Sequence, residues 1–439
     1  MRVLAFVVVV VLCVVPGGRP TLAQEPETLR KEIEALRKQL QSLSERLQRL
    51  EAQPPPAAPS PVAVQAPPAP PAPAGPSTLD LARPRQPFAL YERRGPGQLL
   101  FDVGVSADFT GNLTQRNVDK ANAGSFPGRE NRFFPREIEL NLFGQIDPYA
   151  QGVVRIEAGE DEAGADARVT LAEASLTLLT LPGGTQLRLG QVRSRFGLLN
   201  EHHRDGLPQP DVPNVLLRFL GEEGLVERGA ELSWVAPFPF FLEAVAGAFD
   251  GDNETAFGRG KLNEPLVTGR LRTFFEPTDA QAIQLGLSGA HGLTAERRRS
   301  ALAGFDLKYK WRPEGWRHPL LTLGGEALYS FRRVDVDGDT RERDRFGWYA
   351  WSELQPWQRW ALGVRYDSTQ FPVNPGREWA VEPYVTFALS EFLRFRLGYK
   401  HTERSHRDGF TDNDASARLV DELLFQATFL LGAHPAHPF

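Results

Sequence analysis

The stretch that decides the fold is Asp421–Phe439, DELLFQATFLLGAHPAHPF. Leu423, Phe425, Ala427, Phe429 and Leu431 share one face of an extended strand, because side chains alternate with period two. The alternation ends near Gly432, and Pro435 and Pro438 cannot donate ladder hydrogen bonds, so AHPAHPF reads as an extension past the strand. Two readings fit this segment alone: the closing strand of a membrane barrel, or an edge strand of a soluble sandwich. The preceding three hundred or so residues decide between them.

From Leu99 onward the chain falls into segments of about ten residues with alternating polarity. Ile138, Leu140 and Leu142 oppose Glu137, Glu139 and Asn141; Trp360, Leu362, Val364 and Tyr366 oppose Arg365 and Asp367; Leu393, Phe395, Leu397 and Tyr399 oppose Arg394, Arg396 and Lys400. The connections alternate too. Seven short turns lie near Asp147-Pro148, Leu181–Gly184, Ala236–Pro239, Glu276–Asp279, Arg312–His318, Gln355–Trp357 and Leu389–Glu391. Eight longer polar loops lie near residues 112–131, 159–168, 197–226, 250–264, 290–299, 333–344, 368–376 and 402–420. Together they connect sixteen strands with both termini on the short-turn side. That regular alternation is the habit of outer-membrane barrels. The predicted fold is therefore all-β, a transmembrane antiparallel β-barrel of about 16 strands over residues 97–439. Trp311, Trp316, Trp348, Trp351, Trp357, Trp360 and Trp379 cluster near strand ends, where interfacial girdles belong.

Residues 1–23 read as a secretory signal: Arg2, an apolar core from Val3 to Val15, a Pro-Gly-Gly break, then Thr21-Leu22-Ala23. Cys13, the only cysteine, lies inside that apolar core, so the mature chain is expected to lack thiol chemistry and disulfides. In residues 24–53, Leu29, Ile33, Leu36, Leu40, Leu43, Leu47 and Leu50 alternate spacings of four and three, predicting an N-terminal α-helical coiled coil. Arg46–Glu51 resembles a short motif of three-stranded coils. Residues 54–96 are rich in Pro and Ala; at about 3.1 Å per residue such a linker reaches on the order of 100 Å. The mild net charge of −5 argues against a nucleic-acid partner.

The runs FPREIELNLFGQIDPYAQGVVRIEAGE (134–160), VTLAEASLTLLTLPGGTQLRLGQVRSRFG (169–197) and FLGEEGLVERGAELSW (219–234), with the terminal LGAHPAHPF, resemble the phosphate-selective porin O and P family over residues 98–439. The resemblance implies a homotrimer in outer-membrane lipid that passes small anions, phosphate among them, by diffusion, with the coil in the periplasm. A tether or adhesin bound to the cell wall through residues 24–53 is the other reading of the coil.

If alternate residues line a lumen, the pore-lining candidates are Arg188, Arg193, Arg195, Arg204, Arg270, Arg272, Arg365, Arg394, Arg396 and Lys400, with Glu137, Glu139 and Glu157. Sorted by sequence, the acids fall mainly in the first half of the barrel and the bases in the second, predicting a field across the lumen. Loop 197–226 is the longest, and folded inward it narrows the pore. It has no lysine, a departure from the family's pattern of lysines and arginines at the narrow zone. Adjacent His202 and His203 do not converge on an ion without a third ligand, so no metal or cofactor is expected. The sequence has no Gly-x-Ser-x-Gly, phosphate-binding glycine loop or His-Glu-x-x-His, so an enzyme is not expected.

Overall fold

The structure is a computed structural model that describes residues 100–160, 167–336, 339–405 and 418–432. The signal at 1–23, the coil at 24–53, the linker at 54–96 and the tail beyond Gly432 lie outside the described residues. The strands are β1 (Leu100–Thr114), β2 (Phe133–Asp147), β3 (Ala150–Glu160), β4 (Ala167–Leu181), β5 (Thr185–Arg193), β6 (Val226–Val235), β7 (Phe241–Phe249) and β8 (Leu266–Thr278). There follow β9 (Gln281–Leu293), β10 (Arg299–Trp311), β11 (Leu320–Val336), β12 (Asp339–Trp357), β13 (Trp360–Gln370), β14 (Arg377–Ser390), β15 (Leu393–Arg404) and β16 (Leu419–Gly432). Each strand pairs antiparallel with the next, and β1 pairs with β16, so sixteen strands close into a barrel. The expected strand count holds; the alternation of long and short connections breaks around β11, which residues 312–319 join to β10 and only residues 337–338 join to β12.

The faces are sorted the opposite way from a water-soluble protein. On β13, Leu362 is 52% exposed and Trp360 45%, while Arg365 and Asp367 on the other face are fully buried. Apolar side chains therefore point outward around the barrel and charges point in, which is stable only where the exterior meets hydrocarbon. The exterior carries rows of rings: Trp348 lies 5.3 Å from Tyr366, and Trp360 lies 4.6 Å from Phe387. Trp316 and Trp357, each 67% exposed, sit beside the short turns as expected for a girdle.

Three expectations need correction. Residues 333–344 are mostly strand, because the β11–β12 hairpin runs out to Val336 and Asp339. Its charges suit a hairpin wet on both faces, and Arg333 pairs with Glu342 across it at 2.7 Å. Pro356 lies within β12 and not in a turn; the register shifts between Leu354 and Trp357, where a residue without an N–H is tolerated. Trp351 is not in the girdle. It shares the inner face with Tyr349, is 4% exposed, and its ring fills the space over Gly324, where an added Cβ would lie 2.1 Å from it.

Two loops carry short helices that alternation cannot reveal, α1 (Arg116–Ala121) after β1 and α2 (Asn214–Leu220) between β5 and β6. The first loop tucks Phe126 against Phe134 and Leu424 of the inner wall. The second does much more.

Candidate functional site

The β5–β6 connection, residues 194–225, folds into the barrel. Its apolar residues Phe196, Leu198, Leu199, Leu207, Val215, Leu216, Phe219, Leu220 and Leu225 are all buried. They form one cluster with the inner-wall residues Val192, Phe249, Leu266, Ala290, Leu302, Leu328, Tyr349 and Trp351, so the main hydrophobic core among the described residues lies inside the barrel, against β5 and β7–β12. The approach to the wall is close. Gly197 has φ +66°, and a Cβ there would lie 1.8 Å from Glu326 Oε1, so only glycine fits. The Gly197 amide donates to Ser288 Oγ on β9 at 2.9 Å.

The loop's other side is polar and reaches the facing strands. Arg204 Nε lies 2.7 Å from Glu137 Oε2 on β2, and His203 Nδ1 lies 2.5 Å from Glu139 Oε1, two residues along. Arg136 Nη1, also on β2, donates to the Pro210 carbonyl at 2.7 Å. Asp211 accepts from Arg365 Nη2 on β13 at 2.6 Å and from Lys400 Nζ on β15 at 2.5 Å. Arg218 at the end of α2 makes a two-pronged contact with Glu378 on β14, at 2.8 and 3.0 Å. In a ring of sixteen strands β2 and β10 stand opposite, so a loop joined to the β7–β12 core and tied to β2 crosses the lumen.

The loop's own charged groups, Asp211, Arg204, Glu222 and Glu223, are held in their charged forms. Burial opposes the Asp211 carboxylate, yet Arg365 and Lys400 outweigh it and keep the group well below its ordinary range. Arg204 hydrogen-bonds both Glu222 at 2.9 Å and Glu223 at 2.5 Å, on the loop's returning limb. Burial raises Glu222, but Arg204, Arg136 and Arg129 bring it down to about 2; Arg204 likewise lowers Glu223. For Arg204 burial lowers the guanidinium's pKa, and Glu223, Glu222 and Glu137 more than reverse it.

The remaining pore-lining candidates fall on the same inner face. Arg188 bonds Glu231 at 2.8 Å, and Arg195 bonds Glu243 at 3.0 Å. Arg193 donates to the Glu223 carbonyl at 2.7 Å. Arg270 pairs with Asp306 at 3.1 Å, and Arg272 with Glu243 at 2.5 Å. Arg365, fully buried, also meets Asp367 and Glu382, each at 2.8 Å. Arg394 donates to the Asp205 carbonyl and Arg396 to Gln426 Oε1. Among the described residues these two form no ion pair. Glu157 borders a cavity of about 750 Å³ at the long-loop end, with Arg129, Arg136, Arg193, Arg204 and Glu222.

The expected acidic and basic walls are less separate than the sequence order implies. Glu378 and Glu422 add buried carboxylates on β14 and β16, and most charges are paired across neighbouring strands. Glu378, Arg404 and Glu422 were within reach of the pattern, since they continue the parity of Glu382, Lys400 and Leu424. Asp211, Arg218, Glu222 and Glu223 were not, because loop residues have no parity to follow. Glu137, Glu139 and His203 gather close enough to suggest an ion, but Arg204 and His203 already occupy the two carboxylates, so the group acts as an anchor.

A closed barrel with an apolar exterior, a charged interior and an inward loop defines the porin class of outer-membrane fold. No family model matches the chain. It is 30% identical over 340 residues to an uncharacterized protein of Aquifex aeolicus (strain VF5), covering 69% of each, and it belongs to that protein's family. Among solved structures it is similar to the outer membrane channel DcaP of Acinetobacter baumannii, with TM-score 0.51 and 9% identity over 78% of this chain and 100% of that one. It is also similar to an anion-selective porin from Comamonas acidovorans, with TM-score 0.50 and 9% identity over 76% and 100%. At such identities the likeness is one of fold.

Proposed function

We propose that the chain is an outer-membrane channel for passive diffusion of small ions and polar solutes, narrowed by residues 194–225. The observation that carries this reading is the inverted sorting of faces: fully buried Arg365 and Asp367 look into a lumen whose outer wall is apolar. Solutes pass beside the loop, through the polar gaps it leaves, so the conductance is small for a barrel of this size. An anion preference is supported by Arg394 and Arg396, whose hydrogen bonds go to neutral oxygens, so that among the described residues neither guanidinium is met by a direct ion pair. The resemblance to phosphate-selective porins points the same way and suggests phosphate as one such anion. The heptads at 24–53 support a homotrimer with a periplasmic coil, joined to the barrel by the spacer at 54–96.

The test is a reversal potential. Protein reconstituted in a planar bilayer under a tenfold KCl gradient is expected to show anion-selective steps, and the double substitution Arg394→Glu with Arg396→Glu is expected to move the potential toward the cation side. Absence of any conductance sinks the channel reading; unchanged selectivity in the double variant sinks the assignment of these two arginines.

A further inference from the structure

Outside the lumen constriction, three carboxylates converge at the long-loop end: Glu227 at the start of β6, and Asp250 and Asp252 just after β7. One oxygen from each lies within 4.8 Å of the others. Spacing does not reveal the group, because Glu227 lies far from the Asp pair in sequence and only the β6–β7 pairing brings them together.

Glu227 is fully buried. Its Oε2 accepts the Asp252 amide at 3.1 Å, and its Oε1 has no hydrogen-bond partner. A buried carboxylate oxygen left so carries a desolvation penalty that a bound cation removes. Among the described residues the one guanidinium on the cluster, that of Arg228, contacts Asp252 and lies 3.8 Å from Asp250, but it is 61% exposed and makes no ion pair with Glu227. Three carboxylates and one arginine leave a formal charge of −2. A divalent cation neutralises that charge, and an all-oxygen donor set selects a hard ion.

We propose that Glu227, Asp250 and Asp252 form a calcium site. Water completes the coordination on the side of the half-buried Asp250 and Asp252. The site also bears on the constriction. Next to Asp252, Asn253 Nδ2 donates to the carbonyls of Leu220 and Gly224, each at 2.7 Å, so an ion here fixes the limb by which the inward loop returns to the wall.

The experiment is calorimetric titration of chelator-treated, folded full-length protein with CaCl2. Saturable binding of one ion per chain is expected, with a dissociation constant on the order of 10⁻⁴ to 10⁻³ M, the range of extracellular calcium modules. Asp252→Asn and Glu227→Gln are each expected to weaken it at least tenfold. Arg228→Ala removes an exposed competitor and is expected to tighten binding several-fold; it decides the matter even if Glu227→Gln does not close into a barrel. No saturable binding by the parent protein, or the same isotherm in Asp252→Asn, or no tightening in Arg228→Ala, overturns the proposal.

Discussion

Asp211→Asn tests how the inward loop is held. Asp211 is 3% exposed and joins two cations, Arg365 at 2.6 Å and Lys400 at 2.5 Å. The amide keeps the shape and one acceptor oxygen but removes the charge and turns an NH2 group toward a cation. Breaking a buried pair in this way costs about 3 to 5 kcal/mol. The barrel need not unfold to relieve it, because Arg365 keeps Asp367 and Glu382. Relief comes from the loop leaving the wall. At about 1.4 kcal/mol per tenfold, even 3 kcal/mol raises the undocked population roughly a hundredfold. The other ties remain, Arg218 to Glu378 and Arg204 to Glu137, with the apolar cluster beneath. The loop is therefore expected to lift intermittently and not permanently. Single-channel recording reads this directly, as brief large-conductance events much more frequent than in the parent protein, while heat-modifiable gel migration shows that the barrel is still closed. Traces indistinguishable from the parent's, in a closed barrel, would refute the view that this pair holds the loop across the lumen.

Two further outcomes follow. The Glu222–Arg204 pair has a carboxylate lowered to about 2 in the folded state against about 4.3 unfolded, so its contribution is complete above the unfolded value and disappears as pH falls through the folded one. The difference in thermal midpoint between the parent and Glu222→Gln is thus expected to be constant above about pH 5 and to shrink toward zero near pH 2; a difference that instead grows with acidity contradicts the assignment. Deleting residues 24–53 is expected to weaken the proposed trimer only modestly in cross-linking experiments if barrel contacts dominate, whereas a tether to the cell wall predicts a loosened outer membrane with conductance intact; complete monomerisation overturns the first view.

The barrel was legible because its two signals are local. Alternation such as Trp360-Leu362-Val364-Tyr366 against Arg365-Asp367 needs no knowledge of partners, and turns such as Leu181-Pro182-Gly183-Gly184 announce themselves. The errors came where polarity and strand formation part company, as in the charged hairpin around Val336 and Asp339, or where an aromatic has two possible homes, as with Trp351. The interior of the lumen was legible only in part. Parity places Arg270 and Arg365 on the inner face, but nothing in the order of residues says that Asp211, from a loop between β5 and β6, arrives between Arg365 and Lys400. Such long-range pairs depend on how the loop packs, and its packing rests on leucines and phenylalanines that read, in sequence, like any short helix.

The seam has a consequence for how the molecule is made. β1 and β16 pair from Gly104 with Gly432 to Thr114 with Glu422, and the joint is covered outside by Phe109 stacked on Phe133 and Phe429. Partners separated by more than three hundred residues meet only after everything between them has been synthesised and exported. Until then β1 and the growing end both expose unpaired backbone, which any other extended chain can capture. Closure is the last and most entropically demanding step, and it is indivisible: removing β16 does not leave a smaller barrel but an open sheet with two adhesive edges. The residues from Asp421 to Gly432 thus act as the latch that turns a vulnerable sheet into an edgeless wall.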